Sequence, residues 1–350
     1  MSNIIFRNGK SVGEGAAPYI IAELNTSHFG KVEVAKEMIL SAKNIGADCV
    51  KFQSWTDETL YSKSYYEANP IAQRFVKRYS LSEEELTELV EYCKEVDIDF
   101  SSTPYSEIEV DFLVENTNAP FIKIASMELN NLPFLKYIGS KGVPVILSTG
   151  MGTFEEIKQA VSTLEESGNN QIVILHCISI YPAEPEITNL RNITKLKERF
   201  PEYVIGFSDH SVGPELAAAS IAMGSSVIEK HFTLDQSKIG MDNQMAMETE
   251  GFEEMVKYCH RVSNALGSYD RVLTDQEIEQ RKNMRRSVVS TRELPKGHIL
   301  IRSDLTLKRP GTGIQPEALD SLIGCEVNDD IAADTLIKAE TLITNHVLQA

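Results

Sequence analysis

The sequence predicts an α/β protein, a (β/α)8 TIM barrel followed by a small C-terminal domain. Eight short, mostly apolar runs alternate with amphipathic helical segments between residues 19 and 266. Such runs are typical of strands that are buried on both faces, and their alternation with helices indicates a parallel sheet. No Gly-x-Gly-x-x-Gly pattern follows the first run, which disfavours a dinucleotide-binding Rossmann domain.

The elements of the barrel follow one another after a short N-terminal hairpin, which is predicted over residues 3–12. The eight runs begin at Tyr19, Cys49, Phe100, Phe121, Val143, Ile172, Val204 and Ser226. Ser82 and Glu85 form a capping-box pattern, which predicts a helix start after the second run. The connection before that helix, residues 54–80, is the longest and carries the only tryptophan, Trp55. Long loops after barrel strands often cover the site, so this segment is expected to act as a lid.

The alternation of apolar runs and amphipathic segments stops after residue 267, where the sequence becomes polar and charged. The predicted organisation is a barrel with its hairpin over residues 1–267, a polar linker over residues 268–286 and a small domain over residues 287–350. Within the small domain, residues 293–300 are echoed by residues 330–337, which predicts a duplicated βαβ-like half. A domain of this size is marginally stable alone, so it is expected to pack against the barrel or against a second subunit.

Composition disfavours several classes of partner. The net charge of −17 argues against nucleic acid and anionic membranes, because phosphate groups bind to basic patches. The five cysteines are scattered and lack Cys-x-x-Cys spacing, which predicts reduced thiols and a cytoplasmic location. No run approaches the roughly 20 apolar residues of a membrane-spanning helix.

Two histidines provide the strongest chemical signal. The runs that begin at Val204 and Ser226 each end in a histidine, so His210 and His231 are expected side by side at the tips of adjacent strands. Imidazole is the commonest protein ligand for divalent first-row metals. The pair therefore predicts a metal site at the carboxyl end of the barrel, where barrel enzymes build their active sites.

Other polar side chains follow the strand runs at the same end. Lys51 and Lys123 lie in apolar runs, and buried lysines are unfavourable unless they meet an anion. The hydroxyl groups of Ser126 and Ser148 add donors, so a cradle for a phosphate or a carboxylate is predicted. The carboxylates that are candidates for acid–base chemistry or for binding a substrate hydroxyl are Glu23, Glu128 and Asp242.

Six segments of the chain form a recognisable set. They are IAELNTSHFG (21–30), VKFQ (50–53), FSSTPYS (100–106), GFSDHS (206–211), IEKHFTLD (228–235) and LKRPGTGI (307–314). Together with Tyr181-Pro182, they resemble the sialic acid synthase family, which includes N-acetylneuraminate, legionaminate and pseudaminate synthases and spore-coat polysaccharide synthases. The resemblance runs over nearly the whole chain, and GFSDH followed by EKHFTLD is highly specific.

The resemblance implies a TIM barrel followed by an antifreeze-like (SAF) domain, and a transferase that forms a carbon–carbon bond. The implied reaction is the metal-dependent condensation of phosphoenolpyruvate with N-acetylmannosamine or a diacetamido-trideoxy hexose. Its products would be a nine-carbon 2-keto sugar acid and phosphate. The implied cofactor is Mn2+ or Mg2+, and the implied assembly is a homodimer in which the SAF domain contributes Arg309 to the partner site.

The same resemblance gives the strand-tip residues their roles. Those implied in catalysis are Glu23, Glu128, His210 and His231, of which the two histidines bind the metal. Those implied in binding phosphoenolpyruvate are Lys51, Gln53, Lys123, Ser126, Ser148 and Ser208. Those implied in binding the sugar are Glu23, Tyr181, Asp242 and Arg309.

Two other interpretations of the residues stay open. Lys123 on its barrel strand suits a Schiff-base aldolase, in which the histidine pair would be incidental. A non-catalytic sugar-binding relative would keep the fold without turnover. The sugar also stays open, because the lid, Ser179 and the segment around Asp242 depart from the family pattern.

Overall fold

The computed structural model describes residues 2–343, which fall into two compact units that divide after Gly267. The first unit begins with an antiparallel hairpin of β1 (Asn3–Ile5) and β2 (Ser11–Gly13), in agreement with the predicted hairpin. Eight parallel strands follow, namely β3 (Tyr19–Glu23), β4 (Cys49–Ser54), β5 (Asp99–Pro104), β6 (Ile122–Ile124), β7 (Val145–Ser148), β8 (Ile172–Cys177), β9 (Val204–Asp209) and β10 (Val227–His231).

The eight strands form a nearly closed barrel, which confirms the predicted fold class. Their order is β5-β4-β3-β10-β9-β8-β7-β6, so the first and last barrel strands, β3 and β10, are paired neighbours. At the seam between β5 and β6, the hydroxyl of Ser101 donates to the carbonyl oxygen of Phe121 at 2.8 Å. Parallel pairing points the carboxyl ends of all eight strands towards one end of the barrel.

Helices connect the strands and cover the outside of the barrel. They are α1 (Val32–Asn44), α2 (Lys63–Ala68), α3 (Pro70–Tyr79), α4 (Glu83–Glu95), α5 (Glu107–Asn116), α6 (Leu132–Ser140), α7 (Phe154–Glu166), α8 (Pro185–Thr188), α9 (Arg191–Arg199), α10 (Glu215–Ala222) and α11 (Thr249–Leu266). The apolar faces of all but α2, α3 and α8 pack against the strands and form the main core, whereas Tyr66 of α2 and Val76 of α3 pack with Trp55 in a separate cluster. Within residues 2–343, no helix is both long and apolar enough to span a membrane.

The N-terminal hairpin closes the amino-terminal end of the barrel. Ile4, Phe6 and Val12 join the inward-facing side chains of the strands in one buried cluster. The ring of Phe6 lies 5.1 Å from the rings of both Tyr19 and Phe121. Because apolar side chains fill this end, the carboxyl end is the one that is free to bind a ligand.

Two segments have more regular structure than the sequence pattern indicates. The lid segment, predicted as a long loop, contains α2 and α3. The hydroxyl of Ser62 accepts from the backbone N–H of Tyr65 at the start of α2, and Pro70 occupies the start of α3. The predicted linker contains α12 (Asp275–Met284), which begins at a capping box of Thr274 and Glu277. Side-chain caps therefore stabilise the starts of α2 and α12, two helices that were not predicted from the sequence.

The second unit is built from short antiparallel strand pairs, so the predicted βαβ-like half is wrong. β11 (Ser287–Ser290) pairs with β12 (Leu305–Lys308), and β13 (Glu326–Val327) pairs with β14 (Leu342–Ile343). The described residues between these strands form loops and 3-10 turns, because segments such as Pro295-Lys296-Gly297 disfavour a helix. The similarity between residues 293–300 and 330–337 does not reflect a repeated helix. In the structure, the two regions share a 3-10 turn, which precedes β12 in one and β14 in the other. Residues 344–350 of the domain prediction lie outside the described residues.

Candidate active site

A cavity of about 310 Å3 opens at the carboxyl end of the barrel, and every barrel strand contributes to its wall. The polar residues that line it on or just after the strands are Glu23, Asn25, Lys51, Gln53, Thr103, Lys123, Ser126, Ser148, Cys177, Ser179, Ser208, His210, Glu229 and His231. A larger cavity of about 880 Å3 shares Tyr181, Met241 and Asp242 with it but is not lined by the histidine pair. The smaller cavity is therefore the candidate active site.

A buried carboxylate joins the two predicted lysines at the floor of this cavity. The Nζ atom of Lys123 lies 3.3 Å from Oε1 of Glu229, and the Nζ atom of Lys51 lies 3.7 Å from Oε2. Lys51 also pairs with Glu23 and donates to Oγ1 of Thr103 at 3.0 Å. The two ammonium groups therefore lie on either side of one carboxylate, as expected of a site that receives an anion.

Burial and the nearby charges set the protonation of this group. Burial lowers the pKa of Lys123, and the Glu229 carboxylate only partly offsets this. Burial acts in the same direction on Lys51, but the carboxylates of Glu229 and Glu23 outweigh it and raise its pKa. Burial raises the pKa of Glu229, yet the two ammonium groups outweigh it and hold that pKa well below its usual range. Lys51 and Glu229 are therefore charged, and Lys123 loses its proton more readily than an exposed lysine.

A buried hydroxyl group beside the lysines has no protein partner. The Oγ atom of Ser148 is buried in the cavity wall without a hydrogen bond from any described residue. The Oγ atom of Ser126 accepts from the backbone N–H of Gly150 at 3.0 Å, and the hydroxyl of Ser208 donates to Glu229 at 3.0 Å. A polar atom left alone in a buried site is unfavourable, so Ser148 is best explained by a ligand that it contacts.

The two predicted metal ligands lie next to each other at the rim of this group. The ring centroids of His210 and His231 are 5.4 Å apart, and the ring of Tyr181 lies 4.2 Å from that of His210. The Nδ1 atom of His210 lies 2.7 Å from the carbonyl oxygen of Ile178. That hydrogen bond orients the ring and leaves Nε2 as the ligand atom, which is the usual arrangement of metal-binding histidines.

The donor set fits a divalent first-row ion that is held by two imidazoles. Burial, together with the neighbouring His210, holds the pKa of His231 well below its ordinary value, so this ring is in the neutral form that binds metals. Burial lowers the pKa of His210, but Cys177 and the carbonyl of Ile178 outweigh it and the net shift is upward. Among residues 2–343, no group of three or more His, Cys, Asp and Glu forms a metal cage. Water and substrate oxygens would therefore complete the coordination.

The lid and a loop after β10 form the outer wall. Trp55, Leu60 and Tyr61 of the lid line the cavity, as the prediction of a lid requires. The ring of Trp55 lies 5.6 Å from that of Tyr105. Asp242 accepts a hydrogen bond from the side chain of Asn25, which places its carboxylate at the cavity rim.

The structure brings most of the predicted site residues together. The predicted residues that line the cavity are Glu23, Lys51, Gln53, Lys123, Ser126, Ser148, Tyr181, Ser208, His210, His231 and Asp242. Glu128 is half-buried and does not line it, because its carboxylate accepts from the side chain of Asn131 at 2.7 Å, beside the start of α6. Arg309 lies exposed in the second unit. The catalytic role of Glu128 and the sugar contact of Arg309 stay predictions.

Glu229 is the main functional candidate that sequence reasoning missed. Side chains alternate between the two faces of a strand, so Glu229 and His231 share a face and Lys230 points to the other. The Nζ atom of Lys230 lies 2.7 Å from Oδ2 of Asp209 and 2.7 Å from the carbonyl oxygen of Ser211. Glu229 lies two residues before His231 in the same strand. This spacing is the signal by which the sequence identifies it as a residue of the site.

Matches to known families cover both units of the chain. The model described as NeuB family matches residues 38–271. The chain belongs to the NeuB family. The SAF domain model matches residues 285–343, so the barrel and the second unit agree with the sialic acid synthase resemblance.

Relatives of this NeuB family member extend over nearly its whole length. An uncharacterized protein of Methanocaldococcus jannaschii is 40% identical over 95% of this chain and 96% of its own. The N,N'-diacetyllegionaminic acid synthase of Legionella pneumophila is 34% identical over 97% of both chains. The N-acetylneuraminate-9-phosphate synthase of Homo sapiens is 34% identical over 97% of this chain and 96% of its own. The crystal structure of the N-acetylneuraminic acid synthetase of Leptospira borgpetersenii is 30% identical, with a TM-score of 0.74 over 80% of this chain and 95% of that one.

Proposed function

We propose that this NeuB family member condenses phosphoenolpyruvate with an N-acetylated amino sugar and releases a 2-keto sugar acid and phosphate. The observation that carries the proposal is the joint presence, in one cavity, of a buried lysine pair, an unpartnered serine hydroxyl and two adjacent imidazoles. The lysines suit the anionic substrate, and the imidazoles suit a metal-activated carbonyl group. The names of the relatives support the same class of reaction.

The anionic substrate would occupy the floor of the cavity. Lys51 and Lys123 would contact its phosphate and carboxylate groups, and the free hydroxyl of Ser148 would donate to one of them. The remaining donors proposed around phosphoenolpyruvate are Gln53, Ser126 and Ser208. Replacing water with these fixed groups would hold the enol carbon in one orientation.

His210 and His231 would hold Mn2+ or Mg2+ at the rim of the floor. When bound, the ion supplies Lewis acidity at the aldehyde oxygen of the open-chain sugar. Tyr181 and Asp242 lie beside the histidines and would orient the hydroxyl groups of the sugar. In this arrangement the electrophilic carbon would lie next to the enol carbon, and both would be held in the same cavity.

The bond changes of the proposed reaction balance. C3 of phosphoenolpyruvate bonds to the aldehyde carbon, and the aldehyde oxygen takes up a proton to become a hydroxyl. Water adds to C2, and the bond between C2 and the phosphate oxygen breaks, so the water oxygen becomes the ketone oxygen and inorganic phosphate leaves. Of the two protons of the water, one accounts for the new hydroxyl group and the other leaves on the phosphate. Burial raises the pKa of Glu23, against the effect of the Lys51 ammonium, so this carboxylate suits a role in proton transfer.

One observation favours the Schiff-base alternative. The lowered pKa of Lys123 favours the neutral amine that such a nucleophile requires. The ion pair with Glu229 opposes it, because it stabilises the ammonium form. A Schiff-base enzyme is trapped as a covalent adduct by borohydride in the presence of substrate and keeps its activity in a chelator.

Phosphate release tests the proposal directly. We expect the purified protein to release phosphate from phosphoenolpyruvate only when an amino sugar and Mn2+ or Mg2+ are both present. A chelator should abolish the release, borohydride should leave no adduct on Lys123, and mass spectrometry should detect a nine-carbon keto acid. Release without sugar, or release that survives the chelator, contradicts the proposed reaction. Sugar binding without any release indicates a non-catalytic relative.

We also propose a homodimer in which Arg309 of the partner subunit contacts the sugar. Mixing an Arg309→Ala chain with a His231→Ala chain tests this assignment. Each variant alone should be weakly active or inactive, and random exchange should restore about one quarter of the wild-type activity, because half of the dimers then hold one complete site. If Arg309 acts on the barrel of its own chain, no mixed dimer has a complete site and activity stays low.

The cytoplasmic location also stays a proposal. All five cysteines are free thiols and four of them are buried, in keeping with a reducing compartment.

A further inference from the structure

The lid is joined to the barrel by very few polar contacts. Residues 55–80 follow β4 and contain α2 and α3. Within residues 2–343, one hydrogen bond and no ion pair links this segment to the rest of the chain. The hydroxyl of Thr59 donates this bond to Oε1 of Glu109, on α5, at 2.7 Å. Apart from its chain ends, the lid is otherwise attached by apolar packing.

The apolar packing of the lid is mostly internal as well. Trp55, Tyr66 and Val76 form a buried cluster that is separate from the barrel core, and Leu60 packs against it. Among the described residues, Tyr105, in the loop after β5, is the only member of this cluster from outside the lid, and its ring lies 5.6 Å from that of Trp55. The lid therefore has a small core of its own, which favours movement as a unit.

The end of α3 is the fixed end of the lid. The ring of Tyr79 lies 6.2 Å from that of Phe29, in the loop after β3. The carbonyl oxygen of Arg78 lies so close to Gly30 that a side chain at Gly30 would overlap it. Backbone that is packed this closely leaves no room for sliding, so this end stays in place when the rest of the lid moves.

The first turn of the lid depends on the single hydrogen bond to the barrel. The Oγ1 atom of Thr59 accepts from the backbone N–H of Thr56 at 2.9 Å and donates its own proton to Glu109. The residues of this region that line the candidate active site are Trp55, Leu60 and Tyr61. Breaking the bond would therefore free the part of the lid that forms the cavity wall.

Glu109 holds both sides of the contact between the lid and the barrel. Only 8% of its surface is exposed, and its Oε2 atom accepts from the backbone N–H of Tyr105 at 2.8 Å. A carboxylate this deeply buried is unfavourable unless it is hydrogen-bonded, and its two bonds go to Thr59 and to Tyr105. The closed position has a cost, because the indole N–H of Trp55 is buried without a hydrogen bond to any described residue. The bond between Thr59 and Glu109 offsets this cost.

We propose that Glu109 is a positioning residue that holds the lid closed through Thr59, and that the lid opens by breaking this bond to admit ligands to the cavity. Glu109 does not itself line the cavity, so it acts on the site through the lid and through Tyr105. In the open position the indole of Trp55 reaches solvent, where water satisfies its N–H group. The role of Glu109 does not depend on the identity of the substrates.

The fluorescence of Trp55 tests the inference, since it is the only tryptophan in the chain. Thr59→Val keeps the shape of the side chain and removes the hydroxyl. We expect the open fraction of the lid to rise by about tenfold, because a hydrogen bond to a carboxylate stabilises the closed position by about that factor. The rate constant for quenching by acrylamide should rise with it.

The matched control is Thr163→Val. Thr163 is also half-buried, but its hydroxyl donates to the carbonyl oxygen of Gln159 within α7 at 2.9 Å. Quenching in this control should equal that of the wild type. A wild-type quenching constant in Thr59→Val, or an equal rise in the control, overturns the inference.

Substitutions of Glu109 separate positioning from a general loss of structure. Glu109→Ala should also raise quenching, and adding Thr59→Val to it should raise quenching no further, because both remove the same bond. Glu109→Gln keeps an amide that can bond to Thr59, so its quenching should lie between those of the wild type and Glu109→Ala. The unfolding midpoint of Thr59→Val should stay near that of the wild type, because the lid opens locally. Additive effects of the two substitutions would show that Glu109 does not act through Thr59 and would overturn the inference.

Ligand exchange tests the opening step, which rests on the proposed function for the choice of ligand. Phosphoenolpyruvate is titrated into the wild type and Thr59→Val, and phosphorus NMR line shapes give its exchange rates. More frequent opening should raise the association and dissociation rate constants together, by about tenfold, and leave Kd within about twofold. Unchanged rates, or a weaker Kd without faster association, would overturn the opening step. A protein that does not bind phosphoenolpyruvate contradicts the proposed function and the opening step with it, whereas the quenching experiment still decides the role of Glu109.

Discussion

Replacing either His210 or His231 with alanine is expected to lower kcat by at least about 1,000-fold while the protein stays folded, because metal activation of a carbonyl contributes several kcal/mol. The two rings lie 5.4 Å apart in one cavity, and the loss of either leaves a single imidazole for the ion. Binding of Mn2+, measured from the electron paramagnetic resonance signal of the free ion, should weaken by at least about 100-fold. This readout does not depend on turnover.

His176 provides a matched control for the histidine variants. It is also a buried histidine near the end of a barrel strand, but its Nε2 atom lies 2.6 Å from the carbonyl oxygen of Thr188 and it does not line the cavity. His176→Asn should therefore leave Mn2+ affinity and kcat unchanged, whatever it does to stability. Unaltered Mn2+ binding in His210→Ala and His231→Ala would contradict the metal assignment, even if turnover is lost.

The barrel could be predicted because burial on both faces constrains every residue of a strand. All six residues of β8, Ile172–Cys177, are buried, and the segment reads Ile-Val-Ile-Leu-His-Cys. The same constraint makes the site visible, since a polar residue in such a run must face a partner or a ligand. Lys123, His210 and His231 stand out for this reason, and all three line the cavity.

The direction of individual side chains at the strand tips was harder to predict. Glu128 lies beyond β6, in a 3-10 turn where the two-residue alternation of a strand no longer applies, and its carboxylate contacts Asn131. Glu229 lies within β10, where alternation holds, yet its neighbour Lys230 is equally polar and faces the other way. Residue type therefore indicated which strands build the site, and backbone geometry decided which carboxylate faces it.

The position of Glu229 is consistent with a site for an anion inside a protein with a large net negative charge. The chain carries a net charge of −17, but the field of surface charges is screened by solvent and does not reach far into the cavity. At the floor, two buried ammonium groups need a local counter-ion, which Glu229 supplies at 3.3 Å and 3.7 Å. When phosphoenolpyruvate binds, its own negative groups would take over part of this role.

Glu229→Gln is therefore expected to lower the free energy of unfolding by about 3 kcal/mol, because it removes one partner of a buried ion pair while it keeps the side-chain shape. Lys51 keeps Glu23 as a partner, so the cost should arise mainly at Lys123. Denaturant unfolding at neutral pH measures the change. The matched control is Glu67→Gln, which breaks an exposed pair with Lys63 at 4.0 Å and should cost less than about 1 kcal/mol.

The same variant should respond more strongly to phosphoenolpyruvate than the wild type does. An anion that replaces the missing carboxylate restores the partner of Lys123, so the ligand should stabilise Glu229→Gln by more than it stabilises the wild-type protein at equal concentration. The measurement is the shift of the unfolding midpoint with phosphoenolpyruvate, compared with chloride at the same ionic strength. Equal shifts in the two proteins would mean that the ligand does not reach Lys123, and the proposed location of phosphoenolpyruvate would then be wrong.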